Sequence, residues 1–218
     1  MQHLFWLSPQ KNARMVAMKR RKQLVPRDLE FLYEVGSLRH IKRSWSRFLT
    51  PEFQNLADHH LRVVWIAMII AKHEGVKNIE KIVSLAILHD VPESRTGDVD
   101  YLQRQYVKRN EELGVKDIFA GTVFEKEFTS LWKEYEKRDS IESKIVKDAD
   151  TLDVDLEIKE QENRGNKVGI GWKKNRIKFA EKLFTKTAKE LWKAIQTSNP
   201  HDWHYKGRNR FNDGDLKK

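Results

Sequence analysis

The spacing of apolar residues constrains the fold of this chain most strongly. In almost every patterned segment these residues recur three and four positions apart, which is the spacing of one face of an α-helix. One segment shows it clearly: Ile79, Ile82, Val83, Ala86 and Ile87. The sequence contains no convincing strand alternation and no internal repeat. We therefore expect an all-α fold with about six to eight helices in a single compact domain.

Capping and breaking residues predict where helices begin and end. Asn78 is a favourable N-cap for a helix that stops at His89-Asp90, just before Pro92. Gly75 ends the preceding helix, whose apolar residues follow the pattern of a face buried in the core: Leu61, Val64, Trp65, Met68 and Ile69. Further helices are expected at about 99–113, 122–137, 140–163 and 172–197.

The length and composition favour one soluble globular domain. The 218 residues include no cysteine, which excludes disulfides, thiolate metal sites and a cysteine nucleophile. Any metal must therefore be bound by His and carboxylate side chains. The longest apolar run, residues 63–71, is far shorter than the roughly 20 residues of a membrane span. Residues 4–7 are also too few for the apolar core of a signal peptide, so we expect a cytoplasmic protein.

The net charge of +10 indicates an anionic partner. Nucleic acid, nucleotides and other phosphate esters all fit this charge, which does not choose among them. Much of the excess lies near the chain ends. We expect residues 1–24 and 200–218 to be basic, solvated tails on either side of a domain at 25–199.

Three short strings combine His with carboxylates: residues 57–60, 88–93 and 147–152. An adjacent His-Asp pair at the end of a helix can direct both side chains at one ion, and the other strings can complete the cage. The predicted metal ligands are His59, His89, Asp90 and Asp150. This mixed nitrogen and oxygen set suits one divalent ion, Mn²⁺, Co²⁺, Fe²⁺ or Zn²⁺, better than Ca²⁺ or Mg²⁺.

Such a site would lower the pKa of a water and polarise a phosphoryl group, which together favour phosphate ester hydrolysis. Glu93 lies four residues after His89, and Asp98 lies in the following turn. Both are candidate catalytic carboxylates, and we expect Glu93 to act on the water. Four cations close to the ligands in sequence are candidate phosphate contacts: Arg43, Arg62, Arg95 and Lys147.

Each part of this pattern, taken alone, is weak evidence for a metal site. A chain of this composition would contain about half of one His-Asp pair by chance, and a second pair is present at His201-Asp202. That pair lies outside any expected helix, so we interpret it as a structural or surface feature. His60 is interpreted as structural, and Asp148 and Asp153 as solvated or ion-paired.

In combination, the strings resemble the HD superfamily of metal phosphohydrolases, and within it the small 5′-deoxynucleotidase-like group. The resemblance runs from about Leu38 to Glu162 and rests on five motifs: Arg43-Ser44-Trp45, the string ending at His59, His89 to Glu93, Thr96-Gly97-Asp98, and Ala149 to Leu152. It implies the same four metal ligands. It also implies that Glu93 and Asp98 are catalytic or sugar-contacting, that Arg43 and Trp45 lie near the nucleotide, and that the protein forms a homodimer.

Two classes of function follow. The first is an enzyme that removes phosphate from (deoxy)nucleoside 5′-monophosphates; the same site could instead release triphosphate from a dNTP or cleave a phosphodiester. The second is a non-catalytic module that binds nucleic acid and holds a structural metal. Glu93 and Asp98 argue against the second class, because a purely structural cage does not need them. A nucleotide is therefore the expected partner.

Overall fold

The computed structural model describes residues 26–50 and 52–206. Within these ranges the only β-structure is one isolated bridge between Lys42 and Asn55, so the all-α expectation is confirmed. The α-helices are α1 (26–36), α2 (Leu56–His73), α3 (Ile79–Leu88), α4 (Glu93–Thr96), α5 (Glu111–Phe119), α6 (Glu125–Lys137), α7 (Ile141–Asn163), α8 (Val168–Glu181), α9 (Lys186–Thr197) and α10 (Asp202–Tyr205). Short 3-10 turns lie at Ser37–His40, Ser44–Arg47 and Gln103–Gln105.

Helix α7 is the centre of the fold and packs against α2, α3, α6, α8 and α9. The main core lies between these helices and includes fully buried Val63, Ile70, Leu85, Ile145 and Leu152. Burying each such side chain stabilises the fold by about 1.5–3 kcal/mol. None of the helices in the described ranges is long and apolar enough to span a membrane.

The end of α3 lies where the sequence predicts it. The Asn78 side chain accepts a hydrogen bond from the backbone N–H of Lys81, and Leu88 is the last helical residue. Pro92 disfavours helical geometry at the residue before it, so the chain turns at this point. A second apolar cluster, which includes Val91 and Phe119, packs below this turn. The turn is thus held in place, and it carries His89 and Asp90.

The buried face of α2 differs from the prediction. Leu61, Trp65 and Ile69 are 63%, 59% and 47% exposed, whereas Val63 and Ile70 are fully buried. The helix is apolar around most of its circumference, so periodicity alone does not select the face that packs on α7. The expectation is therefore wrong for Leu61, Trp65 and Ile69, whereas Val64 and Met68 of the same stripe are partly buried and pack against the core.

Two predicted helix spans are also wrong. The span 172–197 is divided into α8 and α9 by a turn that Asp148 holds from α7. The Asp148 carboxylate accepts hydrogen bonds from the backbone N–H groups of Phe184 and Thr185 and from the Thr185 hydroxyl, at 2.7–2.8 Å. Asp148 is buried, so its interpretation as a solvated or ion-paired residue is wrong as well.

The span 99–113 is mostly non-helical. The Asp100 carboxylate accepts from the N–H groups of Leu102 and Gln103, which makes a turn, and α5 begins only after its N-cap Asn110. The predicted N-terminal tail lies outside the described residues. Of the predicted C-terminal tail, residues 200–206 are described and contain α10.

Candidate metal centre

Four side chains from three parts of the fold converge between α2, α7 and the end of α3. One ligand atom each from His59, His89, Asp90 and Asp150 lies within 4.8 Å of every other. His59 is on the second turn of α2, and Asp150 faces it from α7. His89 and Asp90 follow the last residue of α3. The structure therefore brings together the four residues predicted as metal ligands.

The hydrogen bonds of the two imidazoles indicate which ring nitrogens face the centre. His59 Nδ1 lies 2.6 Å from Asp153 Oδ2, and His89 Nδ1 lies 2.7 Å from the Ala86 carbonyl oxygen. Both partners only accept, so each Nδ1 carries the proton. When both rings are neutral, the two Nε2 atoms then direct lone pairs at each other across 3.2 Å.

This arrangement of donors fits a divalent cation. Two imidazole lone pairs and two carboxylates would repel one another at these distances unless a proton or a cation lay between them. Asp90 Oδ2 and Asp150 Oδ1 lie 3.5 and 3.4 Å from His59 Nε2. Asp153 orients the far nitrogen of His59, and a carboxylate in that position is a common feature of histidines in metal sites.

The carboxylates around His59 also favour positive charge at its ring. Burial and the charge of Arg43 oppose the protonated form of His59. Its hydrogen bonds to three carboxylates nevertheless hold its pKa well above the usual value: Asp150, Asp153 and Asp90. A cation at Nε2 would take the place of that proton, because an imidazole must be neutral to act as a ligand.

Arg43 connects the centre to the two predicted catalytic carboxylates. It is buried, and its guanidinium lies 3.3 Å from Asp90, 3.9 Å from Glu93 and 3.3 Å from Asp98. Asp98 also accepts a 3.0 Å hydrogen bond from the backbone N–H of Ser44. The loop before α2 and the turn after α3 are thus joined at the site.

Glu93 has one oxygen engaged and one available. Its Oε1 accepts a 2.6 Å hydrogen bond from Arg109, while its buried Oε2 has no hydrogen-bond partner in the described part of the chain. Burial, with the nearby charges of Asp90 and Asp98, raises the pKa of Glu93 to about 9. A divalent cation beside it would lower this pKa again, because it would stabilise the carboxylate. Such a poised carboxyl suits proton transfer.

A cavity of about 740 Å³ opens above the centre, with His89, Asp90 and Asp150 in its wall. Five aromatic side chains also line it, and three of them lie close together: Trp45, Tyr101 and Trp172. The Trp45 ring lies 4.9 Å from that of Trp172 and 6.0 Å from that of Tyr101. Lys147 lines the same cavity, and its Nζ lies 2.7 Å from Asp150 Oδ2.

The structure does not bring Arg62 and Arg95 to the cavity, contrary to the expectation that they contact substrate. Neither is among its lining residues. Arg62 packs behind His59, where its guanidinium lies 2.9 Å from Asp153 Oδ1 and contacts Glu157 and Glu160. Arg95 binds Glu34 through two hydrogen bonds at the surface.

The sequence interpretation missed Asp153 as a residue of the site. It is fully buried between His59 and Arg62, so of the two roles given for it the ion-paired one is confirmed and the solvated one is wrong. A signal was present, because Asp153 lies three residues after Asp150 and thus on the same face of α7. Arg109, Tyr101 and Trp172 were also missed. No local pattern connects them to the ligands, since they approach only through the loop after α4 and through α8.

Two further histidines of the described chain, His60 and His201, do not belong to the four-residue cluster, as predicted. Burial lowers the pKa of His60 well below its usual value, and its ring packs 5.0 Å from that of His89. His201 and Asp202 are not part of the cluster. His201 contacts His204, and Asp202 pairs with Lys206.

Comparisons with known proteins are consistent with this site. A family model for the HD domain matches residues 35–192, which include all four converging side chains. A Bos taurus relative, "5'-deoxynucleotidase HDDC2", is 33% identical over 147 residues, covering 65% of this chain and 71% of that protein. A Dictyostelium discoideum relative of the same name is 29% identical over 182 residues, covering 75% and 95%.

The fold also has solved counterparts. A conserved hypothetical protein from Pyrococcus furiosus superposes with a TM-score of 0.65 and 27% sequence identity. The match covers 78% of this chain and 99% of that one.

Proposed function

The chain belongs to the HD domain family, as its motifs predict, and from that premise we propose that it is a divalent-metal-dependent phosphohydrolase. Its substrates are deoxynucleoside 5′-monophosphates, in keeping with the names of its relatives. One observation carries the proposal: ligand atoms of two histidines and two aspartates converge beside a cavity large enough for a nucleotide, and His89, Asp90 and Asp150 lie in its wall. Residues 25–199 form the catalytic domain.

In this proposal, His59, His89, Asp90 and Asp150 hold one ion. Mn²⁺, Co²⁺, Fe²⁺ or Zn²⁺ suits the donor set better than Mg²⁺, because imidazole nitrogen is a borderline ligand. When bound, such an ion would polarise a phosphoryl oxygen and lower the pKa of a water. Asp153 and the Ala86 carbonyl keep both Nε2 atoms directed at it.

Glu93 acts on the attacking water. Its Oε2 accepts a proton from the water, while the Arg109 guanidinium fixes the carboxyl through Oε1. As the bond between phosphorus and the 5′-oxygen breaks, the same proton passes to that oxygen. One water is consumed and a nucleoside and inorganic phosphate are released, so the reaction balances.

The nucleoside occupies the aromatic side of the cavity. Trp45, Tyr101 and Trp172 offer ring faces on which a base can stack and ring edges that it can contact. Asp98, which Arg43 and the Ser44 N–H hold in place, is an acceptor for a sugar hydroxyl. Arg43 aligns Asp90, Glu93 and Asp98, and its guanidinium lies beside the position proposed for the phosphate.

The test is metal analysis and a phosphatase panel on one preparation. Protein loaded with Mn²⁺ or Co²⁺ is incubated with deoxynucleoside and ribonucleoside 5′-monophosphates, and released phosphate is measured. We expect phosphate from the deoxy series and none after removal of the metal with a chelator. Failure to release phosphate from any nucleotide would overturn the proposal.

The products separate this reaction from its alternatives. A dNTP triphosphohydrolase would release inorganic triphosphate, and a phosphodiesterase would release a nucleotide. A non-catalytic module would turn over none of these and would give a salt-sensitive mobility shift with RNA or DNA. Chromatography of the products therefore identifies the reaction.

The proposal extends to a homodimer. The apolar stripe of Leu61, Trp65 and Ile69 on α2 is exposed and supports an interface with a second copy. Light scattering should give twice the monomer mass for the wild-type chain and the monomer mass for Trp65→Glu. The cytoplasmic location stays a prediction, which fractionation of cells that express the tagged chain would test.

A further inference from the structure

Arg138 adopts an unusual backbone conformation at the end of α6. Its φ of 57° and ψ of 32° are left-handed, and it is the one non-glycine residue with positive φ among residues that the structure describes. Its N–H donates to the Glu134 and Tyr135 carbonyls at 3.2 Å. Arg138 thus occupies the left-handed position after a helix, where glycine is the usual residue. A non-glycine residue whose backbone is kept in this strained conformation often has a functional role.

The Arg138 side chain is separated from the candidate metal centre by one aromatic ring, that of Tyr135. Its Cζ is 3.6 Å from the centroid of the Tyr135 ring, and that ring packs 5.6 Å from the ring of His89. Arg138 and Tyr135 both line the cavity, together with Lys147. One aromatic ring therefore contacts both this guanidinium and a proposed metal ligand.

The guanidinium of Arg138 is incompletely paired. Its Nη1 is buried and has no hydrogen-bond partner within the described ranges. Its ion pair with Glu136 is a long contact, with 3.7 Å between Nη2 and the carboxylate. A buried donor normally has an acceptor, because leaving it without one is costly. The side chain is thus ready to donate to a ligand in the cavity.

Other arginines of the cavity are already engaged. Arg43 contacts Asp90 and Asp98, Arg109 pairs with Glu93 and Glu111, and Arg176 binds Asp155. Arg104 donates to the Val99 carbonyl. Lys178 and Lys182 also line the cavity but are exposed to solvent. Arg138 therefore combines a buried donor with little compensating negative charge.

We propose that Arg138 is a substrate-binding residue whose guanidinium donates to the phosphate of the nucleotide at the metal centre. The inference rests on the proposed function, which it deepens by assigning a protein contact to the phosphate. A phosphate oxygen satisfies Nη1, and the planar guanidinium suits a phosphate better than an ammonium would. Tyr135 holds the guanidinium in position by stacking.

The test measures binding of the two reaction products, which are not turned over. Calorimetry on Mn²⁺-loaded protein compares inorganic phosphate with deoxyadenosine. In Arg138→Gln, the Kd for phosphate should rise by about ten-fold or more, because a charged hydrogen bond is lost. The Kd for deoxyadenosine and the metal content should stay unchanged.

Two further variants control for charge and for folding. Lys137→Gln removes the same charge from an exposed neighbour outside the cavity lining, and phosphate should bind it as it binds the wild type. Arg138→Gly should lose phosphate affinity as Arg138→Gln does, yet melt at no lower temperature, because glycine relieves the left-handed strain.

Several results would overturn the inference: no phosphate binding by the wild type, unchanged phosphate affinity in Arg138→Gln, an equal loss in Lys137→Gln, or an equal loss of deoxyadenosine affinity. Failure of the proposed function gives a different result. If no nucleotide is hydrolysed but phosphate binding still depends on Arg138, the phosphate site stands and the assigned reaction is wrong.

Discussion

Asp153 accepts a 2.6 Å hydrogen bond from Nδ1 of His59, although the two residues lie 94 positions apart in the chain. On the other side of the same ring, Asp150 Oδ1 lies 3.4 Å from Nε2. Two carboxylates three residues apart on α7 therefore bracket one imidazole of α2. The packing of these two helices sets both the orientation of the ring and the protonation of its nitrogens.

This bracket predicts that Asp153 controls metal affinity. Asp153→Asn keeps the shape of the side chain but loses the charge that favours Nδ1–H, so the affinity for Mn²⁺ should fall by about 10–100-fold. Competition with a metal-binding dye measures it. At saturating metal, kcat should largely recover. An unchanged metal affinity with a lowered kcat would contradict an effect that acts through His59.

The two His-Asp pairs of this chain form a matched test. Asp90→Ala should lose both the bound metal and the phosphatase activity, because it removes a proposed ligand. Asp202→Ala changes the same dipeptide at a site away from the cluster, where Asp202 pairs with Lys206, and it should keep both. Elemental analysis and circular dichroism distinguish loss of metal from loss of fold. Retained metal in Asp90→Ala would refute the ligand set.

Glu93→Gln should separate catalysis from metal binding. The variant keeps the hydrogen bond to Arg109 but cannot accept a proton, so kcat should fall by about 10²–10⁴-fold while the metal content stays the same. Glu111→Gln is the control, since Glu111 also pairs with Arg109. It should lose less activity than Glu93→Gln. Equal losses would indicate that both act only by positioning Arg109.

Metal binding should stabilise the fold. An ion that binds only the native state adds about 2.7 kcal/mol at a concentration one hundred times its Kd. For a chain of this length, that corresponds to a rise in Tm of about 5–10 °C. Thermal unfolding with Mn²⁺ and with a chelator measures the difference. Asp90→Ala should show no shift, and a shift of wild-type size in that variant would place the ion elsewhere.

Arg62 should act through Asp153 and not through the nucleotide. Arg62→Ala leaves buried Asp153 and Glu157 without their cation, which should destabilise the fold by about 3 kcal/mol and weaken metal binding. The milder Arg62→Lys keeps the charge but loses the planar arrangement of N–H donors that the guanidinium offers to several carboxylates. At saturating metal, the KM of Arg62→Lys should equal that of the wild type. A raised KM with normal metal affinity would restore Arg62 as a substrate contact.

The features that the sequence by itself determined are local ones. The Asn78 cap, the end of α3 before Pro92 and the length of α7 depend on residues within about one helical turn. The same holds for the adjacent positions of His89 and Asp90. His59 and Asp150 could be added because each lies in a string with its own pattern and because the family motifs join them. These short-range preferences act in the same way in any compact fold.

Only the tertiary structure decided the rest. Which face of α2 is buried, how Asp148 divides α8 from α9, and why Asp153 and Arg62 lie behind His59 all depend on helix contacts between residues far apart in sequence. The same is true of Trp172 and Arg138, which reach the cavity from other helices. Packing selects these contacts through the shape and burial of whole helix faces. The spacing of residues along one helix does not show which other helix packs against it.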